Sequence, residues 1–266
     1  MKKIAVILHG LSSGNNDLGL EVNTKYSLSS LKDKLGKDNI LDFYFHTWGA
    51  KNKSLLSFLK PKNYRFDAPI YTGYEGTKIH SIISRFKSLD NSVNIFLEKC
   101  QIQNLKYDVI LITRFDLFLF RNIIPREIEE NEIFFPDWFN PFNGKNILFD
   151  LYFILGKKSI ENFSGISKFT EQFLKNNNIK KDSHPLCSSH IILFEYAKER
   201  KIPLKYYGKE YRDFCVYRQY KRFIKFSEKP HYYFSKQQIF YFFARFGFDY
   251  KFKLIYSKIY KFFKHQ

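Results

Sequence analysis

Residues 107–120 read Y-D-V-I-L-I-T-R-F-D-L-F-L-F and constrain the fold more tightly than any other stretch of the chain. Val109, Ile110, Leu111 and Ile112 form an apolar run without alternation, the pattern of a strand buried on both faces of a mostly parallel sheet. Arg114 and Asp116 follow two residues apart, so in extended chain their side chains leave on one side while Thr113 and Phe115 leave on the other. In open α/β sheets ligands bind beyond the carboxyl ends of the strands, which is where this cation and anion fall. A structural salt bridge accounts for the pair equally well.

The segments around this strand repeat an alternation of strand and helix. Ile4 to Leu8 reads as a first buried strand that runs into His9, Gly10, Leu11 and Ser12. That loop can bring backbone N–H groups to a phosphate, but it lacks the G-x-x-x-x-G-K-[ST] pattern and reads equally as a surface turn. Asn23 or Thr24 can cap a helix with Leu28, Leu31 and Leu35 on one face, stopped by Gly36. A second strand over 40–45 closes on His46, Thr47 and Trp48, and His46 is either a satisfied structural histidine or a site residue. A loop rich in Tyr, Pro and Gly follows Pro61. Two helices are then expected, over 77–89 and 92–103, with Arg85 on the first placed to reach a phosphate or solvent.

Past the central strand, further strands are expected at 132–135 and 147–155, a helix at 159–173, another helix opened by His190, and short strands at 203–206 and 214–217. The whole is an α/β, doubly wound, mostly parallel sheet. Asp150 interrupts the apolar run I-L-F-D-L-Y-F-I-L. A buried carboxylate costs several kcal/mol unless paired, coordinated or protonated, so this one is either functional or carefully satisfied. Ser, His and Asp in D-S-H-P-L-C-S-S-H come without a G-x-S-x-G elbow, which leaves capping and turn formation as their expected roles.

Charge marks out a second region. The 266 residues carry 44 Lys plus Arg against 26 Asp plus Glu, a net +18 that favours an anionic partner. Residues 218–266 hold twelve of those cations and only Glu228 and Asp249 as acids, interleaved with aromatics. Phe248, Phe252, Ile255, Ile259 and Phe262 make a helical stripe among lysines, the pattern of an amphipathic helix lying on an anionic membrane surface, or of one packed back on the domain. The expected organisation is therefore a domain over 1–217 with a basic, aromatic helical C-terminal appendage. Three widely spaced cysteines suggest neither a disulfide framework nor a zinc site, which fits a reducing, cytoplasmic setting. The apolar run after Met1 is too short for a signal peptide.

The ordered set I-A-V-I-L-H-G, F-H-T-W-G, S-I-I-S-R-F-K-S-L, Y-D-V-I-L-I-T-R-F-D-L and F-D-L-Y-F-I-L-G-K resembles bacterial glycosyltransferases of surface-polysaccharide synthesis (capsule, lipopolysaccharide) with a GT-A-like, Rossmann-type nucleotide-binding fold. H-T-W and R-F-D-L are its most specific pieces. The resemblance implies a cytoplasmic enzyme, peripheral on the membrane, moving a sugar from a nucleotide-sugar donor to a glycan or lipid-linked acceptor. It places the donor diphosphate and a divalent cation, Mn²⁺ or Mg²⁺, at Asp116, with Arg114 as a phosphate partner. The usual D-x-D is here R-F-D; a guanidinium can take over part of a cation's charge neutralisation. His9, Gly10, Ser12, His46, Thr47 and Arg85 are then expected at the nucleotide or sugar, with Asp150 as the base and His190 behind it. Transfer of another nucleotide-activated group is an alternative within enzymes. A nucleic-acid-binding protein would share the composition, but no binding motif appears and the basic residues sit in an appendage, so no nucleic acid is expected. A non-catalytic membrane adaptor would have no need of polar groups at several strand ends.

Overall fold

The structure, a computed structural model, describes residues 1–12, 24–137, 147–209 and 213–216. The basic aromatic appendage lies outside the described residues. Strand β1 (Lys2–Gly10), β2 (Asn39–Trp48), β3 (Asn63–Asp67) and β4 (Val109–Arg114) run parallel. With β6 (Ile133–Asp137), β7 (Tyr152–Leu155) and β8 (Lys205–Lys209) they build one seven-stranded sheet in the order β3-β2-β1-β4-β7-β6-β8. Only β7 runs against its neighbours in this sheet. Strand β5 (Leu117–Leu119) pairs separately with β9 (Phe214–Val216). The 109–112 run is interior, between β1 and β7, as its unbroken apolar pattern requires.

Side-chain alternation along β1 assigns the two faces. Ile4, Val6 and Leu8 pack with Leu28, Leu31 and Leu35 of α1 (Lys25–Gly36), with Leu55 and Leu59 of α2 (Lys53–Leu59), and with β5. Ala5 and Ile7 face α3 (Lys78–Gln103), α4 (Ile166–Asn176) and α5 (Ser189–Glu199). Helices on both faces of a mostly parallel sheet make the doubly wound architecture. The same parity puts Ile110 and Ile112 of β4 on the α3 side, and Val109, Leu111 and Phe115 on the α1 side.

Several local expectations are corrected. The helices expected over 77–89 and 92–103 are one helix, α3, because Asp90 and Asn91 spend their side chains elsewhere. Asp90 accepts from the backbone N–H groups of Gly165 (2.8 Å) and Ser167 (2.9 Å) at the start of α4, and the Asn91 amide meets His46 Nε2 at 3.2 Å. Neither then competes for its own backbone, the usual reason such residues end helices. The stretch around Pro61 contains α2 and β3. Asn52 caps α2 by accepting from Leu55 N (3.0 Å), and Lys60 closes it in the left-handed region (φ 48°). Thr24 begins α1 without a side-chain cap; its hydroxyl donates to Ser12 O instead (3.2 Å). The helix expected over 159–173 is a short 3-10 turn at Ile160–Phe163 followed by α4. The strand expected over 147–155 is ordered as strand only from Tyr152, and it is antiparallel.

Candidate active site at the β1–β4 switch point

Strand order reverses between β1 and β4, and a doubly wound sheet opens its ligand crevice at such a point. The register brings the relevant residues level: His9 lies beside both His46 and Arg114, and Gly10 beside Thr47. The reversal of β7 supplies the next residue. Tyr152 at the start of β7 pairs with Thr113 at the end of β4, so the residues just before β7 arrive at the carboxyl end of β4. Had β7 run parallel, Asp150 would lie at the opposite edge. The entry is pinned by Leu151 O, which accepts from Arg114 N (3.3 Å) and from the Thr113 hydroxyl (3.1 Å).

Three elements thus converge on Asp150. Arg85 of α3 reaches it through Nη1 and also donates to Ser189 Oγ at 3.0 Å. Arg114 Nη1 stands 3.8 Å from Asp150 Oδ1, and His190 Nδ1 stands 3.4 Å from the same oxygen. Arg114 also forks onto Asp116, Nε to Oδ1 at 2.9 Å and Nη2 to Oδ2 at 2.5 Å. Burial pushes the Asp150 pKa up, but Arg85, His190 and Arg114 together overcome it and hold the carboxyl well below its usual range. Burial likewise works against charge on Arg114, and Asp116 and Asp150 reverse that and raise its pKa. His190, in the first turn of α5, is fixed by reciprocal bonds with the chain before β7: Leu148 N donates to its carbonyl (3.0 Å) and its Nδ1 donates to Leu148 O (3.1 Å). A carbonyl only accepts, so the proton sits on Nδ1 and the basic lone pair on Nε2. Burial lowers its pKa further than Asp150 raises it, keeping the ring neutral near pH 7.

His9 is 2% exposed, and neither ring nitrogen has a hydrogen-bond partner among the described residues. Burial, and then the charge of Arg114, depress its pKa to about 3, so it is a neutral imidazole in the wall of the cluster. Buried polar groups left unpaired are rare and ask for an explanation. The other predicted residues are occupied internally. His46 is fully buried, with Nδ1 on Ser88 Oγ (2.8 Å) and Nε2 3.0 Å from Asp67 Oδ2. Burial lowers its pKa to about 4 in spite of Asp67. Gly10 N donates to Ser88 Oγ (2.8 Å) and Ser12 N to Thr47 Oγ1 (3.0 Å), so these N–H groups are spent on holding the β1 loop to α3 and β2. The Thr47 hydroxyl in turn donates to Ser12 Oγ (2.9 Å). His46, Thr47, Ser12 and Gly10 therefore hold β1, β2 and α3 together, while Arg85, Arg114, Asp116, Asp150 and His190 form one charged cluster with His9 buried beside it. Ser88, Ser189 and Asp67 complete the set and were not anticipated. The spacing Arg85, Ser88, Asn91, Ser92 along α3 carries the signal for Ser88: a polar stripe at helical period on a face that is otherwise core.

Among the described residues no group of three or more His, Cys, Asp or Glu side chains is disposed to hold a metal ion. Among the described residues, the disposition of Asp116 and Asp150 does not fit the divalent cation that the resemblance implies. Asp116 gives both oxygens to Arg114, and the guanidinium of Arg114 stands between Asp116 and Asp150. No helix among the described residues is long and apolar enough to cross a membrane.

No protein-family model matches the sequence, and no curated protein does. Among solved structures the chain is similar to a protein from Desulfovibrio desulfuricans G20 that bears the provisional name nucleotide-diphospho-sugar transferase. The identity is 10% over 79% of this chain and 81% of that one, with a TM-score of 0.39.

Proposed function

We propose that the chain is a glycosyltransferase that moves a sugar from a nucleotide-sugar donor to a glycan or lipid-linked acceptor in surface-polysaccharide synthesis. The observation that carries this reading is the gathering of two guanidinium groups and a neutral histidine around one buried carboxylate at the switch point. Arg85, Arg114 and Asp150 lie within the motifs through which the sequence resembles such enzymes. In this reading Arg85 and Arg114 meet the donor's phosphates and stabilise the charge that grows on the departing nucleotide. His190 Nε2 takes the proton of the acceptor hydroxyl as its oxygen bonds to the anomeric carbon and the bond from that carbon to the phosphate oxygen breaks. Asp150 was the first choice for the base on sequence; a carboxylate held so acidic is a weak base, and its part becomes that of orienting Arg85, Arg114 and His190. The aromatic, basic residues 218–266 would bring the enzyme to an anionic membrane face, where a lipid-linked acceptor resides.

The test is release of nucleotide from a panel of nucleotide sugars, with product mass, for the native chain and for the double variant Arg114→Met/Asp116→Asn. Removing both charges leaves neither buried alone. Turnover should fall on the order of a hundredfold or more, the cost of losing a preorganised electrostatic contact, with the fold retained. Absence of nucleotide release from every donor would sink the reading, and undiminished turnover in the variant would return the pair to a structural role. Sedimentation with anionic vesicles, lost on deleting 218–266, tests the membrane contact.

A further inference from the structure

We propose that this crevice binds its phosphate-bearing ligand as the free anion, without a divalent cation. The inference rests on the glycosyltransferase reading for the identity of the ligand, and on the layering of charge in the site for the rest.

Asp150 is 2% exposed, whereas the groups around it are more open: Arg85 24%, His190 25% and Arg114 12%. The carboxylate is closed off from solvent, and solvent reaches the side chains that carry the nitrogen donors. A ligand entering from solvent meets guanidinium and imidazole first. A metal ion seeking Asp150 would have to pass two cations, and one seeking Asp116 would have to displace a fork in which Arg114 Nε and Nη2 already hold both oxygens. A phosphate has the easier entry. Guanidinium forks match phosphate oxygens as well as carboxylate oxygens, so it can share Arg85 and Arg114 with the carboxylates that orient them. Asp150 is thereby a positioning residue: with its pKa held down by its cationic neighbours, it holds two arginines side by side that would otherwise repel. The sequence supports the same division of labour, since an arginine stands where the D-x-D pattern has its first carboxylate.

The experiment measures equilibrium binding of nucleoside diphosphates and of inorganic pyrophosphate to the full chain, in EDTA and again with Mg²⁺ or Mn²⁺, and separately the binding of Mn²⁺ alone. The expected result is that a nucleoside diphosphate binds in EDTA, more tightly than pyrophosphate, and that added Mg²⁺ leaves the affinity unchanged or weaker. Arg85→Gln should weaken that binding at least tenfold and lower the thermal midpoint, since it leaves Asp150 without its nearest cation, whereas Arg85→Lys, which keeps a cation there, should weaken binding less with a midpoint near that of the native chain. A requirement for Mg²⁺ or Mn²⁺, or Mn²⁺ binding that disappears in Asp116→Asn, would overturn the inference and leave the transferase reading standing. Equal affinity for pyrophosphate and nucleotide would support the anion site and count against the nucleotide. Binding of neither anion under any condition would overturn both.

Discussion

His190 and Asp150 exchange the roles that sequence alone suggests, and the exchange makes a measurable difference. A base must be unprotonated to act, and burial lowers the His190 pKa below its ordinary 6.5. The acid limb of kcat/KM should therefore fall below pH 6.5. Asp150 is the charged neighbour that raises the His190 pKa, beside the smaller effect of the Leu148 carbonyl, so Asp150→Asn should move the limb to still lower pH and reduce turnover. His190→Gln should remove the limb and slow turnover by roughly 10²- to 10⁴-fold. An unaltered pH profile in His190→Gln would assign the proton transfer to another group. Arg114 and Asp116 were legible from sequence because strand parity alone puts them on one side. Asp150 was legible only as an anomaly in an apolar run; what it touches depends on the direction of β7, and the pattern of a four-residue strand buried on both faces is the same in either direction. For His46 the sequence left a satisfied structural histidine and a site residue both open, because its partners Asp67 and Ser88 come from an unrecognised edge strand and from a helix read in two pieces.

At the scale of elements, α3 joins the layers. From one 26-residue helix Arg85 enters the site, Ser88 holds the β1 loop and His46, and Asp90 serves the next helix. The Asp90 carboxylate is buried and accepts from Gly165 N, Ser167 N and the Ser167 hydroxyl, at the end of α4 where N–H groups lack partners within the helix and favour negative charge. Asp90→Ala should cost about 2–4 kcal/mol in urea unfolding, since three donors lose a charged acceptor, while Asp90→Asn should cost less. A loss under about 0.5 kcal/mol for Asp90→Ala would mean that the donors find water or other partners. The strong amphipathic segments could be placed from sequence because their periodicity records burial. What could not be placed were features set by contacts remote in sequence: the continuity of α3 through Asp90 and Asn91, and the short edge strand β3. Gly156 belongs to the same class. A Cβ there would come within 1.9 Å of Glu129 O, a close approach that nothing in the neighbouring residues announces.

For the molecule as a whole, the three-layer core encloses two histidines that stay neutral in the fold, and this sets how the protein responds to acid. His9 takes up a proton near pH 3 and His46 near pH 4 in the folded chain, against 6.5 for an unhindered imidazole. Between about pH 6.5 and 4 the unfolded chain therefore holds up to two more protons than the folded one, and stability must fall as pH falls. Each imidazole contributes roughly 1.4 kcal/mol per pH unit to that slope once the unfolded group is fully protonated, so a few kcal/mol are lost before most carboxylates titrate. Against a typical total of about 5–15 kcal/mol, this is a sizeable share of the stability, lost before the carboxylates titrate. His46 is bonded to Ser88 and Asp67, so replacing it disturbs more than its titration. His9 has no such partner among the described residues, and His9→Leu isolates the effect. Urea unfolding across this pH range should show the His9→Leu slope reduced by about one proton, with stability at pH 7 preserved or increased because an unpaired buried polar ring is gone. Flat stability of the native chain from pH 6.5 to about 4.5, or an unchanged slope in the variant, would show that these rings reach water or a partner and are not sealed in the core.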